Sequence, residues 1–293
     1  MTIMPPIVRT VAEVRAHVAA WHEQGHIVGL VPTMGALHKG HLSLVSEIAA
    51  YVDKIIVSIF VNPTQFGEND DLDKYPRQEA DDQKKLAQTP TTIIFAPAVE
   101  TMYPDGHCTS VTLSGISEIL EGAARPGHFD GVATIVSKLL LQCMPDIAIF
   151  GEKDYQQLAV IQQFVRDLDI PVKIINGKLV RETDGLAYSS RNAYLNKEER
   201  QIAAQFNRIL RHAIAAVLAG QNLRAAEQEA KAALIAAGFV AVDYITIADK
   251  GTLRPLDTLS SGAQLLAVAR IGGIRLLDNM EIEAPESASI KSG

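Results

Sequence analysis

Apolar positions in the first 180 residues fall into short continuous runs separated by stripes of helical period. The run IVGLVP at 27–32 is followed by Thr33-Met34-Gly35 and then by apolar positions at Leu42, Val45, Ile48, Ala49 and Val52, which predicts strand, glycine turn and helix. KIIVSIFV, from Lys54, is too continuously apolar for a half-exposed strand, and TTIIFA, from Thr91, repeats the pattern after a polar loop over 62–76 and a charged helix. Apolar residues then recur at 132, 135, 136, 139, 140 and 143, a helical stripe, followed by the strand DIAIF, a helix from Tyr155 to about Leu168, and the strand PVKII. This alternation predicts an α/β fold: a Rossmann-like parallel sheet covered on both faces. Beyond Gly177 come the polar stretch RETDGLAYSSRN, two Ala-rich helical segments around Gly220-Gln221-Asn222, and the strand-like YITIA and QLLAVARI. That change predicts a smaller α+β C-terminal domain, with the organisation 1–178, 179–283 and a disordered tail at 284–293.

Composition narrows the classes of function. A chain of 293 residues is long enough for two domains at roughly 150 residues each. It has 27 Lys and Arg against 34 Asp and Glu, a net charge of −7, which disfavours broad binding to nucleic acid or an anionic membrane. An anionic ligand must therefore be held by local groups. The two cysteines, Cys108 and Cys143, have no metal-binding spacing and read as reduced thiols. The opening MTIMPPIVRT carries two prolines and no apolar h-region, and no run approaches the roughly 20 residues of a membrane span, so a cytoplasmic protein is expected.

The sharpest local chemistry is Pro32-Thr33-Met34-Gly35-Ala36-Leu37-His38-Lys39-Gly40-His41, where the first strand of this series gives way to its helix. A helix N-terminus offers backbone N–H groups, glycines allow close approach, and two imidazoles three residues apart can face one anion. Taken alone, the pair could equally be surface or capping histidines; its place at the carboxyl end of a parallel strand favours a polyphosphate. Three further loops fall at strand ends or before the striped helix: FVNPTQF with Asn62 and Gln65, EGAARPGHF, and FGEKDYQQ with Gly151, Glu152, Lys153, Asp154 and Gln157. Loops after successive parallel strands converge on one crevice, so Asn62, Gln65, Lys153 and Gln157 are expected to line a pocket with the histidines, although each by itself also fits a turn or a cap. Tyr188-Ser189-Ser190-Arg191-Asn192 offers hydroxyls and a guanidinium for phosphate, or simply a turn before the helix near Lys197.

Together, PTMGALHKGH, FVNPTQF, EGAARPGHFDG, FGEKDYQQL, RETDGLAYSSRNAYL and ARIGGIRLLDN, in this order over about residues 7–283, closely resemble the pantoate–β-alanine ligase (pantothenate synthetase) family. HxGH alone marks only the wider nucleotidyltransferase superfamily. The resemblance implies an ATP- and Mg²⁺-dependent ligase that joins pantoate to β-alanine through a pantoyl adenylate, releasing AMP and pyrophosphate. It implies ATP contacts at Met34, Gly35, Ala36, Leu37, His38, Lys39, Gly40, His41, Gly151, Glu152, Lys153, Asp154, Val180, Tyr188, Ser189, Ser190 and Arg191. His41, His38, Lys153 and Arg191 would stabilise phosphate charge. Gln65 and Gln157, assisted by Asn62, would hold pantoate. Asp81 and Asp82 lie near where some members hold magnesium, with Lys85 at a third position where a neutral ligand can occur. A homodimer, no nucleic-acid or membrane partner, and an ATP-dependent lid over 183–192 hinged at Gly185 are also expected. Two other readings compete: a different HxGH adenylyltransferase, against which Gln65 and Gln157 argue, and a noncatalytic nucleotide sensor, which has no need of His38, His41, Lys153, Ser190 and Arg191.

Overall fold

The computed structural model describes residues 4–67 and 72–283, so the expected tail at 284–293 lies outside the described residues. The chain divides into two compact units, Met1–Val180 and Arg181–Gly293, where the sequence reading set the boundary after 178.

In chain order the first unit contains β1 (Ile7–Val8), α1 (Val11–Glu23), β2 (Val28–Thr33), α2 (Lys39–Ile48), β3 (Lys54–Ile59), α3 (Glu79–Leu86), β4 (Ile93–Phe95) and the single turns α4 (Val99–Met102) and α5 (Glu121–Ala124). It ends with α6 (His128–Cys143), β5 (Ile147–Gly151), α7 (Tyr155–Asp167) and β6 (Lys173–Gly177). The six strands form a parallel sheet in the order β1-β4-β3-β2-β5-β6.

Strand alternation explains the unbroken apolar runs, because successive residues feed two different cores. Val28, Leu30, Ile56, Ile93 and Phe95 pack with Val14, Val18 and Trp21 of α1, Ile135 and Leu139 of α6, and Leu158 and Ile161 of α7. Val31, Ile55, Val57 and Ile94 face the other way, onto Leu44, Val45 and Ile48 of α2 and Leu86 of α3. Cys143 is buried in the first of these cores, where desolvation pushes its thiol up to about 12, and Cys108 is exposed.

In the second unit, α8 (Lys197–Ala203), α9 (Gln205–Leu218) and α10 (Leu223–Ala236) precede an antiparallel sheet in the order β7-β8-β9, with β7 at Ala241–Asp249, β8 at Ala263–Ile271 and β9 at Ile274–Ile282. Leu210, Ala213 and Val217 of α9 and Ala226, Ala230 and Leu234 of α10 share a core with Ile247, Leu265, Ala267 and Ala269.

The sequence reading assigned no element to β1, α1 or β9. β1 is two residues long, too short for periodicity to register. β9 follows Gly272-Gly273, a two-residue hairpin loop with φ of +52° and +81° that pairs Ile271 with Ile274. Its pattern is disguised by Asp278 and Asn279, both buried. Arg181 compensates Asp278 with two hydrogen bonds of 2.7 Å, and Asn207 adds a third contact at 3.3 Å.

Candidate active site

β2 lies between β3 and β5, and the order of the sheet reverses there: the chain leaves β2 toward β3 and later returns to lay β5 on the opposite side. Ligands of open parallel sheets bind at such a reversal, beyond the carboxyl ends of the strands. The β2–β5 ladder registers only Gly29 with Ile147 and Leu30 with Ala148, although β2 stays paired with β3 as far as Thr33 and β5 with β6 as far as Gly151. The two middle strands therefore separate toward the end that carries the HxGH loop and the Glu152–Asp154 turn.

The loop after β2 is turned by residues of positive φ, Gly35 at +80° and Ala36 at +50°. This conformation costs a residue with a Cβ roughly 1–2 kcal/mol and persists where its surroundings impose it. The imposing group is Asp82 of α3, fully buried, whose carboxylate accepts the N–H groups of Ala36 and Leu37, both at 2.8 Å. Lys85 donates to the Leu37 carbonyl at 2.8 Å.

Next, His38 caps α2: its Nδ1 accepts the N–H of Gly40 at 3.2 Å, while Nδ1 of His41 accepts the N–H of His38 at 3.4 Å. The two rings stack with centroids 4.0 Å apart. Burial, reinforced by the Lys153 charge, pushes His38 down to about 4. Burial, then His38 and Lys153, push His41 down to about 3. Both rings are thus neutral at pH 7, and because Nδ1 accepts in each, the single ring proton sits on Nε2. The expected backbone cradle is modified accordingly. The amides of Ala36, Leu37, His38 and Gly40 end on acceptors within the protein, and two imidazoles extend the polarity of the helix terminus by one ring, each with an N–H donor at its far side.

After β3, Asn62 is only 1% exposed, and its side chain is hydrogen-bonded within the protein. Its Oδ1 accepts from Tyr103 Oη at 2.7 Å and Thr64 Oγ1 at 3.0 Å, and its Nδ2 donates to Gln65 Oε1 at 3.1 Å and the Gly131 carbonyl at 3.2 Å. Gln65 reaches the Met34 sulfur at 3.0 Å, which joins the loops after β2 and β3. From behind, the Gln65 carbonyl accepts His128 Nδ1 at 2.8 Å and Arg125 at 3.2 Å, with Arg125 also on Glu121 at 3.3 Å. Within EGAARPGHF the one local signal of this clamp is the i,i+4 pair Glu121/Arg125.

After β5, Lys153 stands 3.3 Å from Asp154 in the Glu152–Asp154 turn that leads into α7. The adjacent glutamines of α7 differ. Gln156 is buried, accepting the Glu121 N–H at 2.9 Å and donating to the carbonyls of Ile116 and Ile119, both at 2.8 Å. Gln157 is half-buried, and its amide makes no hydrogen bond among the described residues.

The acidic pair does not fit a magnesium ion. Asp81 is exposed and bound to Lys84 at 3.0 Å, both Asp82 oxygens are taken by backbone amides, and no cluster of three metal-ligating acidic, His or Cys side chains occurs among the described residues. Lys85, at the third position, brings a cation to within 3.6 Å of Asp82.

Within the second unit, Ser189, Ser190 and Arg191 form the start of a 3₁₀ turn in which Ser189 Oγ accepts the Arg191 N–H at 3.3 Å. The preceding segment is tied down. Arg181 and Ala187 form a β-bridge, Arg200 binds Glu182 and Asp184 at 2.7 Å each, and Asn192 donates to Glu182 and to the Ala187 carbonyl, both at 3.0 Å. Gly185, which the sequence reading made a hinge, occupies the turn of this closed loop: its N–H donates to Glu182 O at 2.9 Å and its carbonyl accepts from Arg181 at 3.0 Å.

Comparison with known proteins agrees with this architecture. The chain is 52% identical over 277 residues to the pantothenate synthetase of Paramagnetospirillum magneticum, covering 94% of this chain and 98% of the relative. The Cereibacter sphaeroides pantothenate synthetase is 51% identical over 279 residues, covering 95% and 100%. Among solved structures, the pantothenate synthetase of Thermus thermophilus superposes with a TM-score of 0.90 at 42% identity, covering 95% of this chain and 99% of that one. The pantoate-beta-alanine ligase of Francisella tularensis, solved with beta-gamma ATP and beta-alanine, gives 0.82 at 35% identity, covering 97% and 100%. The family model for pantoate-beta-alanine ligase matches residues 6–281, and on these grounds the chain belongs to the pantoate–β-alanine ligase family.

Proposed function

We propose that this enzyme condenses (R)-pantoate with β-alanine at the expense of ATP, in two steps. The pantoate carboxylate attacks the α-phosphorus, the bond to the β-phosphate oxygen breaks and pyrophosphate leaves. The β-alanine amine then attacks the acyl carbon of the pantoyl adenylate, loses a proton and expels AMP. The observation that carries this reading is the pair of neutral, stacked imidazoles at the strand end where the order of the sheet reverses, electrostatically coupled to Lys153.

Phosphoryl transfer asks for positioned donors and positive charge more than for covalent chemistry from side chains. His38 and His41 would donate to phosphate oxygens, Lys153 would neutralise charge that develops as pyrophosphate departs, and Met34–His41 and Gly151–Asp154 would enclose the nucleotide. Gln157, whose amide is uncommitted, would bind pantoate with Gln65. Neutral amides suit an acid whose carboxylate must remain nucleophilic, because a strong ion pair would dull it. Asn62 holds Gln65 in place under this reading. On the resemblance alone, Val180, Tyr188, Ser189, Ser190 and Arg191 are further nucleotide contacts, with the second unit acting as a lid. A cytoplasmic homodimer is expected on the same ground, and sedimentation would test the dimer. Because Asp81 and Asp82 do not fit a metal, no step is assigned to magnesium.

Labelled pyrophosphate should exchange into ATP with pantoate present and β-alanine absent, since the first step needs only two substrates. Exchange that required β-alanine would refute the two-step order, and exchange without pantoate would favour a different adenylyltransferase.

A further inference from the structure

We propose that Asp82, assisted by Lys85, is a positioning residue for the nucleotide, because it fixes the backbone from which the two histidines project. The inference rests on the reading that His38 and His41 bind the phosphates. Helix α3 reads EADDQKKL, a segment whose charges suggest a solvated face. Asp81 follows that expectation, but Asp82 is turned inward with no exposure at all. A buried carboxylate is tolerated only where it is fully matched, and here the match is a particular one. Ala36 and Leu37 each donate at 2.8 Å, one to each oxygen, and Lys85 Nζ lies 3.6 Å away.

One donor, Ala36, is the strained residue of the loop, and the other, Leu37, follows it directly. With Gly35 at φ +80° and Ala36 at +50°, the chain turns so that these two amides face inward, and His38 begins α2 immediately afterwards. Lys85 fixes the other side of the same peptide segment through the Leu37 carbonyl at 2.8 Å. A carboxylate and an ammonium three residues apart on α3 thus hold the amide and carbonyl groups of the last residue before the His38 cap. A metal-ligand role competes for the same oxygens, and their commitment to the backbone leaves Asp82 a brace.

The test is pantoate-dependent ATP–pyrophosphate exchange on the whole enzyme carrying Asp82→Asn, Lys85→Gln or His41→Ala, with thermal unfolding in parallel. In Asp82→Asn the volume is kept, yet the carboxamide NH₂ meets one of the two backbone N–H groups as donor against donor. The KM for ATP should rise about tenfold or more, while the KM for pantoate stays within about twofold. Lys85→Gln, at a half-exposed position, should shift the ATP value in the same direction by less. The ¹⁵N signals of the His38 and His41 rings should move in Asp82→Asn, which a merely structural role elsewhere in α3 would not cause.

Unchanged ATP kinetics in a folded Asp82→Asn enzyme would overturn the proposal. So would a deficit that excess magnesium restores, which would mark Asp82 as a metal ligand, or an equal loss for ATP and pantoate. If Asp82→Asn fails to fold, Lys85→Gln decides, and an unchanged KM for ATP there overturns it. If His41→Ala is fully active while Asp82→Asn is impaired, the phosphate reading of the histidines is what fails.

Discussion

After β2 the backbone amides of Ala36, Leu37, His38 and Gly40 end on acceptors inside the protein, and the loop's remaining chemistry is that of two stacked, neutral imidazoles. After β3 the arrangement is reversed. The backbone carbonyl of Gln65 is anchored by His128 and Arg125, and under the proposed reading the chemistry offered to substrate consists of side-chain amides. One side is electrostatically stiff and suited to a multiply charged anion; the other is neutral and suited to hydroxyls and a carboxylate that must stay reactive. In each case the group that fixes position differs from the group offered to substrate. Sequence motifs mix the two kinds, as Gln156 and Gln157 illustrate: adjacent in the chain, one binds three backbone groups and the other none.

The comparison breaks most readily on its charged side. His41→Ala and Lys153→Ala should each slow pantoate-dependent pyrophosphate exchange by on the order of 100-fold, as expected for loss of a preorganised group acting on phosphate charge. Near-normal exchange in both would remove these side chains from the chemistry. On the neutral side, Gln157→Ala should raise the KM for pantoate about tenfold with unfolding unchanged. Gln156→Ala should do the opposite, costing roughly 1–3 kcal/mol of stability through three orphaned backbone partners while catalysis survives in the folded fraction. Equal behaviour of the two variants would erase the distinction.

A further expected effect is on pH dependence. His38 and His41 have native values of about 4 and 3, against about 6.5 in an unfolded chain. Between these limits the unfolded state binds more protons, so stability is lost as pH falls below about 6.5 and the loss levels off below the native values. Denaturant midpoints measured from pH 7 to pH 5 should therefore fall less steeply in a double variant lacking both histidines. A parallel slope would show that the rings titrate normally.

The parallel sheet was legible because its strands sit between two cores, so Ile55, Ile56 and Val57 are all apolar, and few arrangements besides a doubly covered strand accommodate such a run. The strand-end position of His38, Gln65 and Lys153 followed from those runs. Asp82 was not legible in its present role. Its partners lie 46 and 45 residues earlier, and α3 has the charge pattern of a surface helix. The partners of Asn62 were hidden for a related reason: nothing local shows that its carboxamide accepts from Tyr103 and donates to Gln65. Polar residues with long-range partners are hidden from periodicity, and Asp278 concealed β9 in the same way.

The early parting of β2 and β5 also bears on how such a sheet diversifies. Each strand keeps its outer neighbour to the end, β2 with β3 through Thr33 and β5 with β6 through Gly151, so the cleft opens without taking either strand out of the sheet. The loops that follow lie beyond the ladders and are fixed instead by side-chain bonds, from Asp82 to Ala36 and Leu37 after β2 and from His128 and Arg125 to Gln65 after β3. Under the proposed reading, such a scaffold would change the acid it accepts through substitutions around Gln65 and Gln157 without disturbing the brace from α3 to the nucleotide side. Evolvability on one bank of the cleft and conservatism on the other would then follow from where two strands stop touching.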